Sequence, residues 1–599
     1  MNSLTGQAPL SGPIVPPAFL PNLTERCLSS TLPKPTLFGA EIFNVTSSLV
    51  TNYTAAFTPP NFFNSDPPLC GVAEGLSFCN ITVTYTHPGQ NDSINVFLSL
   101  PVSISDDVFF NSPEEQPDDP QLQPGDAETT PEWNGILLSI GGGGFSTCLP
   151  EPVSHAALSQ GYALSRTDGG HPPLRFDYAI GDVVNPPTES WGLLSPGNVN
   201  LYNFQDFASV ALHDMAVISK DIIDSFYHMP PRHSYFQGCS TGGRQGLMLA
   251  QRYPTDYDGI LSGAPALFFP KLMVNHWNGQ MIMHAIKYYP KACELDAITR
   301  AAIAECDELD GVKDGIISNE SACNFDPFPA FNHNLRGEKP CTMLYADVDG
   351  PVHETVNISM SAAHIAYHLW GGAKGSIDRP NWHHPTHGTP LGTLAATKCY
   401  RGNNTCQPNP NALAMDWFRI FLYKNPSLTA EDLASRISLE ELERLFHQAD
   451  QEYHSLISTS DPDLSAFANA GGKLIAWHGT SDSAIPPGQT TQYYESVLEY
   501  AKTPYSGIED VSDFFRLYMV PGVDHCAGGD GALPINALLK LRKWVEEGIA
   551  PEELDGESFG RSDGEKIYRK LCRYPSVARY RGGDHDSRKA ESFTCADSF

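Results

Sequence analysis

The sequence predicts an α/β protein, with a mostly parallel sheet covered by helices on both faces and a large inserted lid domain. Three observations carry this reading. Short apolar runs such as "GILLSI" (135–140) suit strands buried on both faces. These runs alternate with stretches of helical periodicity, the pattern of strand–helix–strand units. A middle stretch, 266–469, rich in Cys, Pro, Asn and His, breaks that alternation. The predicted core is therefore 1–265 with 470–599, and the predicted lid is 266–469.

Residues 1–69 are rich in Pro, Thr and Asn and read as a segment wrapping the surface. "CNITVTYTH" (79–87) and "INVFLSLP" (94–101) alternate as half-buried strands do. The acidic, Pro-rich stretch 112–134 reads as a solvated loop. After the strand 135–140 comes "GGGGF". A helix follows at 211–227, a strand at 233–238, a helix at 242–253 and a strand with a glycine-rich exit at 259–265. Beyond the insertion, strands fall at 471–479 and 515–522, and a last helix at 532–548.

The chain has 599 residues and a net charge of −31, which argues against nucleic acid or an anionic membrane as partner. It suits work in acidic surroundings. No apolar run approaches the roughly 18 residues of a membrane helix. There are 14 cysteines and no C-x-x-C pair. Eight N-x-[ST] sequons begin at Asn22, Asn44, Asn52, Asn80, Asn91, Asn319, Asn357 and Asn403. Together they favour a secreted, extracellular protein with most cysteines in disulfides. The first residues, "MNSLTGQAPLSGPIVPPAF", have neither a basic n-region nor an apolar h-region, so no signal peptide is visible. The expectation is a replaced leader or a mis-assigned start.

The chemistry centres on "GCSTGG" (238–243). Ser240 stands in G-x-S-x-G between a predicted strand and a predicted helix. A serine there has strained backbone and an exposed hydroxyl, and the helix N-terminus offers N–H groups to an oxyanion. The bland alternative is a glycine-rich turn with an incidental serine. A nucleophilic serine needs a base and a group to orient it. Asp482 and His525 lie just past predicted strands, in the chain order Ser, Asp, His. Asp524 is the rival acid, although adjacent side chains generally point apart. His478 is the rival base, better suited to a capping or core role. "GGGGF" suits an oxyanion loop, so the candidate donors are Thr241, Gly142 and Gly143. Cys239 adjoins the serine and Cys526 adjoins the histidine. Were Ser240 and His525 in reach of each other, a Cys239–Cys526 disulfide would strap the site. The alternative is a buried free thiol.

"CDELDGVKDGIISNESAC" (306–323) packs Asp307, Asp310 and Asp314 into eight residues. With the carbonyls of Val312 and Ile316 they could cage a calcium ion, or they form a solvated acidic turn. His383, His384 and His387 in "NWHHPTHG" read as surface loop residues.

"GCSTGGRQG", "HGTSD", "PGVDHC" and "CDELDGVKDGIIS" together resemble the tannase/feruloyl esterase family of secreted serine esterases. The resemblance runs from about Cys70 to Cys595. It implies an α/β-hydrolase core with a large lid, a Ser240–Asp482–His525 triad and the Cys239–Cys526 strap. It also implies a structural calcium in the lid on Asp307, Asp310, Val312, Asp314 and Ile316, and no organic cofactor. Disulfides Cys306–Cys323 and Cys572–Cys595 follow as well. Cys293–Cys341 and Cys399–Cys406 are further expected pairs, and Cys27, Cys70, Cys79 and Cys148 are expected to form two bridges of open connectivity. The expected activity is hydrolysis of galloyl or hydroxycinnamoyl esters, small or polysaccharide-linked. Acyl choice and oligomeric state are not legible. The competing expectation is a catalytically silent polyphenol- or carbohydrate-binding protein on the same scaffold.

Overall fold

The computed structural model describes residues 22–57, 71–102, 132–149, 155–173, 175–177, 182–184, 187–330, 332–371 and 382–598. Nine strands make one sheet: β1 (Glu41–Phe57), β2 (Gly71–Thr86), β3 (Ile94–Pro101), β4 (Ile136–Ile140), β5 (Ala163–Thr167), β6 (His233–Cys239), β7 (Gly259–Gly263), β8 (Lys473–Gly479) and β9 (Phe515–Val520). Their order is β1-β2-β3-β5-β4-β6-β7-β8-β9. From β5 to β9 every pairing is parallel; β1, β2 and β3 join antiparallel at one edge.

The sequence explains this division. Every residue of β4 and β7 is buried, as central parallel strands require. One face of the sheet packs on α1 (Ala211–Tyr227) through Leu212, Met215, Ile222 and Phe226. The other packs on α9 (Ala537–Glu547) through Leu538, Leu541 and Trp544. Between them in sequence come α2 (Thr241–Arg252), α3 (Phe269–Asn275), α4 (Asn278–Ile286), α5 (Ala292–Cys306), α6 (Met360–Leu369), α7 (Leu439–Ile457) and α8 (Gly488–Ala501).

The N-terminal expectation is corrected. Residues 41–57 do not merely wrap the surface; they form the long edge strand, and the segment before it is tied to β2 by Cys27–Cys79. Its Thr and Val favour extended backbone, and an exposed edge needs few apolar residues. β5 also escaped sequence reading, because "ALSRT" is short and mixed in polarity. The last helix starts later than expected: Ala532–Pro534 pairs with Glu553–Ser558 instead. Pro534 has no N–H to donate, and Ile535 N–H goes to Asp555 O at 2.9 Å. The acidic loop lies outside the described residues except for 132–134.

The strand pair β7–β8 is adjacent and parallel, so everything from 264 to 472 is an excursion between the C-terminal end of β7 and the start of β8. It holds α3 to α7 and two ribbons, and its aromatic core includes Trp417, Phe418 and Phe421 beside Phe145 and Phe207. Disulfides pin it at Cys293–Cys341, Cys306–Cys323 and Cys399–Cys406. Cys572–Cys595 closes the C-terminal tail. Cys70 lies outside the described residues, and Cys148 is buried. Among the described residues no helix is long and apolar enough to cross a membrane.

Candidate active site

Ser240 sits between β6 and α2 with φ 63° and ψ −123°, a conformation that L-residues adopt only where surroundings impose it. The flanking glycines are what permit it. A Cβ on Gly238 would meet the Gly242 carbonyl carbon at 2.6 Å, and one on Gly242 would meet Gly142 O at 2.8 Å. The turn is pinned by backbone bonds: Ser240 N–H donates to Gly263 O (3.0 Å) and Gly242 N–H to Gly142 O (3.0 Å). Thr241 N–H, at the first position of α2, has no backbone acceptor among the described residues.

Asp482 follows β8 and His525 follows β9. His525 Nδ1 lies 2.9 Å from Asp482 Oδ2. The other oxygen, Oδ1, accepts N–H bonds from Ala484 (2.8 Å) and Ile485 (2.7 Å). Asp482 is wholly buried. Burial alone would raise its pKa, but the His525 charge and the bonds from His478 and His525 outweigh it and hold the carboxylate well below its usual range. In return, although burial opposes it, Asp482 raises the pKa of His525.

The rivals resolve by geometry. His478 is fully buried, with Nε2 3.1 Å from Asp482 Oδ2 and Nδ1 2.7 Å from Thr490 Oγ1. It is a core histidine that holds the aspartate. Asp524 turns away from the His525 ring, accepting N–H bonds from Ser483 (2.8 Å) and from His525 itself (2.6 Å). Cys239 and Cys526 are bonded, with Cα atoms 5.9 Å apart. Each cysteine is next in sequence to Ser240 or His525, so the bond draws the serine turn and the histidine loop together.

The glycine loop is corrected at one residue. Gly142 N–H already donates to Gln245 Oε1 at 2.9 Å, leaving Gly143 as the loop's candidate donor. Gln245, fully buried on α2, also donates through Nε2 to Thr147 O (3.3 Å), so one side chain spans the loop. Sequence reasoning passed over it, since a glutamine on a buried helix face carries no motif. Gln245→Leu is expected to lower kcat about tenfold to a hundredfold with KM little changed, because the oxyanion loop loses its anchor. Steady-state kinetics checks this, and an unchanged kcat contradicts it.

Beside the Asp482 loop, Ser483, Ala484 and Pro486 form one wall of a pocket closed by Asn275, His276, Asn278, His383 and Asn411. Burial, reinforced by the nearby His525 charge, pushes His276 down to about 4, so it is a neutral hydrogen-bonding group near pH 7. His383 and His384 line this pocket, while His387 pairs with Glu320 at 2.6 Å.

The 306–323 loop is folded around its aspartates. Asp307 accepts N–H bonds from Asp314 (3.0 Å) and Gly315 (2.9 Å), and Asp310 accepts from Val312 (2.9 Å). Asp314 pairs with Arg569. Burial, with Asp314 and Asp307 close by, pushes Asp310 up to about 6. Among the described residues Asp307 and Asp310 have no Lys or Arg ion-pair partner, a charge imbalance that a cation would offset, although the three carboxylates do not converge to within 4.8 Å of one another.

Strands in this order, with serine, aspartate and histidine carried after β6, β8 and β9, define an α/β-hydrolase. The chain belongs to the tannase and feruloyl esterase family, which it matches over residues 116–596, and it is a carboxylic ester hydrolase. It is 33% identical over 576 residues to a probable feruloyl esterase of Arthroderma benhamiae, covering 95% of this chain and 94% of the relative. It is 31% identical over 519 residues to the mono(2-hydroxyethyl) terephthalate hydrolase of Piscinibacter sakaiensis, covering 78% and 80%. The solved tannin acyl hydrolase of Aspergillus niger superposes with a TM-score of 0.75 at 25% identity, covering 96% of this chain and 94% of that one.

Proposed function

We propose that the protein is a secreted serine esterase that cleaves esters of phenolic acids, using Ser240, His525 and Asp482. The observation that carries this is the 2.9 Å contact from His525 Nδ1 to Asp482 Oδ2 beside the Cys239–Cys526 bond. Ser240 Oγ attacks the ester carbonyl while His525 Nε2 takes its proton. Asp482 holds the ring and balances its charge. Thr241 and Gly143 N–H groups receive the oxyanion. His525 then protonates the leaving alcohol and activates the water that releases the acid.

The aromatic acyl group is assigned to the pocket beside the Asp482 loop. The relatives' names all point to aromatic acids: ferulic, terephthalic and tannic. The pocket's amides and imidazoles favour a ring bearing several hydroxyls over a methoxylated one, because a donor left without a partner costs affinity. Methyl gallate is therefore expected to exceed methyl ferulate in kcat/KM. A preference for ferulate overturns the acyl assignment, and hydrolysis of neither overturns the substrate class.

Secretion accords with six disulfides among the described residues and with sequon asparagines of which Asn22, Asn44, Asn52, Asn91, Asn357 and Asn403 are exposed. The 266–469 insertion acts as the lid. A calcium ion in it would be held by the Asp307, Asp310 and Asp314 carboxylates and the Val312 and Ile316 carbonyls, and would supply charge balance rather than chemistry. Ile316 packs where a side chain on Gly522 would stand, three residues before His525. Stripping calcium with EGTA is expected to lower Tm; at 100-fold excess over Kd, the ion contributes about 2.7 kcal/mol. Readdition of calcium restores Tm in the native protein but not in Asp310→Asn. A Tm indifferent to EGTA removes the ion from the account.

A further inference from the structure

Four ionisable side chains meet at the hairpin joining β2 to β3, well away in sequence from Ser240. His87 Nδ1 lies 2.6 Å from Asp92 Oδ2 and 4.0 Å from Asp206 Oδ1. On the ring's far side, His87 Nε2 lies 3.2 Å from Asp214 Oδ2, which also accepts the Tyr85 hydroxyl at 2.9 Å. Asp206 is 1% exposed and its Oδ2 has no hydrogen-bond partner, although the carboxylate faces the imidazole. Leaving such an oxygen buried and unmatched is costly unless something binds it. Three carboxylates also outnumber the single charge the imidazole can carry.

We propose that His87, Asp92 and Asp206 form a binding site for a divalent first-row transition cation. Their ligating atoms all lie within 4.8 Å of one another, close enough to share one ion. One imidazole nitrogen with two carboxylates is a donor set for zinc or manganese, whereas calcium prefers oxygen alone. Asp214 supplies the outer contact: its Oδ2 accepts a hydrogen bond from Nε2–H, which keeps the proton on Nε2 and leaves the Nδ1 lone pair toward Asp92 and Asp206. Tyr85 fixes Asp214 in that role. Binding replaces the Nδ1–Asp92 hydrogen bond, and any proton on Nδ1 leaves to solvent.

The site also has a structural consequence. Asp206 opens a wide π-helical turn, 206–210, that runs into α1. The carbonyls of Phe207 and Ala208 in this turn receive the buried Arg244 of α2, at 3.4 and 2.9 Å. An ion on Asp206 therefore ties the β2–β3 hairpin to the turn against which the Ser240 helix rests. These residues are distinct from the aspartates of the 306–323 loop.

The test uses the full chain, freed of metals and refilled with calcium, then titrated with Zn2+ by calorimetry and thermal denaturation. One equivalent of zinc is expected to bind and raise Tm. Asp206→Asn should abolish that step while keeping the response to calcium. Asp214→Asn, which leaves all three ligands in place, should weaken zinc by about tenfold or more. Should Asp206→Asn fail to fold, His87→Gln provides the same comparison. Absence of zinc binding overturns the proposal. So does binding that survives both substitutions, which would place the ion on other histidines such as His383 and His384.

Discussion

Ser240→Ala is expected to lower kcat by about 10⁶-fold while Tm changes little. The two halves of that expectation have separate causes. The hydroxyl is the reacting atom, and no neighbouring group can replace it. Thr241 and Gly143 N–H groups survive the change, so a residual rate of about 10³–10⁴ over water remains from oxyanion and substrate binding. The fold survives because the turn's own bonds are made by the backbone. Ser240 N–H still donates to Gly263 O, and Ser240 O still accepts from Arg244 and Ala266 at 3.0 Å each. Alanine carries the same Cβ at φ 63°, so it neither relieves nor adds strain. Single-turnover assays with methyl gallate, a melting curve and labelling by a fluorophosphonate together check this. Native-like rates in the variant would overturn the mechanism, and a native chain that resists the label would favour the silent binding protein.

The chemistry was easier to read from the sequence than its support. Ser240, Asp482 and His525 could be found because each stands one to five residues past an apolar strand, and strand ends are where this architecture displays loop residues. The parallel strands were visible for the same reason that they are buried: a strand covered on both faces must be apolar throughout. β1 was missed because an edge strand carries the polar composition of a loop. Gln245 was missed because its role consists of contacts across long sequence distances, and Thr490 because it acts only through the buried ring of His478. Gln245 reaches back 103 residues to Gly142, and no local pattern announces such a bond. The same limit applied to His87, Asp92 and Asp206, which come together only when the hairpin meets the helix.

Removing the Cys239–Cys526 bond, as Cys239→Ser with Cys526→Ser, is expected to act on stability and rate together. The bond closes a loop of 287 residues. On the chain-entropy account, a closure that long stabilises the fold by about 5.7 kcal/mol, at the top of what a disulfide contributes. Much of the Tm should therefore be lost even though both sulfur positions are filled by isosteric hydroxyls. The rate effect arises differently. Ser240 at φ 63° and Cys526 at φ 61° are both held in left-handed backbone, on loops from two strands separated by β7 and β8. Without the strap, each can relax toward its preferred conformation, and the serine moves relative to the imidazole. A displacement of about 1 Å costs on the order of a hundredfold in kcat. Asp482 keeps its bond to His525 in the variant, so the acid limb of the pH–rate profile should stay in place while the plateau falls. That separates loss of alignment from loss of the base, since replacing Asp482 would move the limb. A double variant that melts early yet turns over at the native rate below its transition would make the bond a clamp on the fold alone.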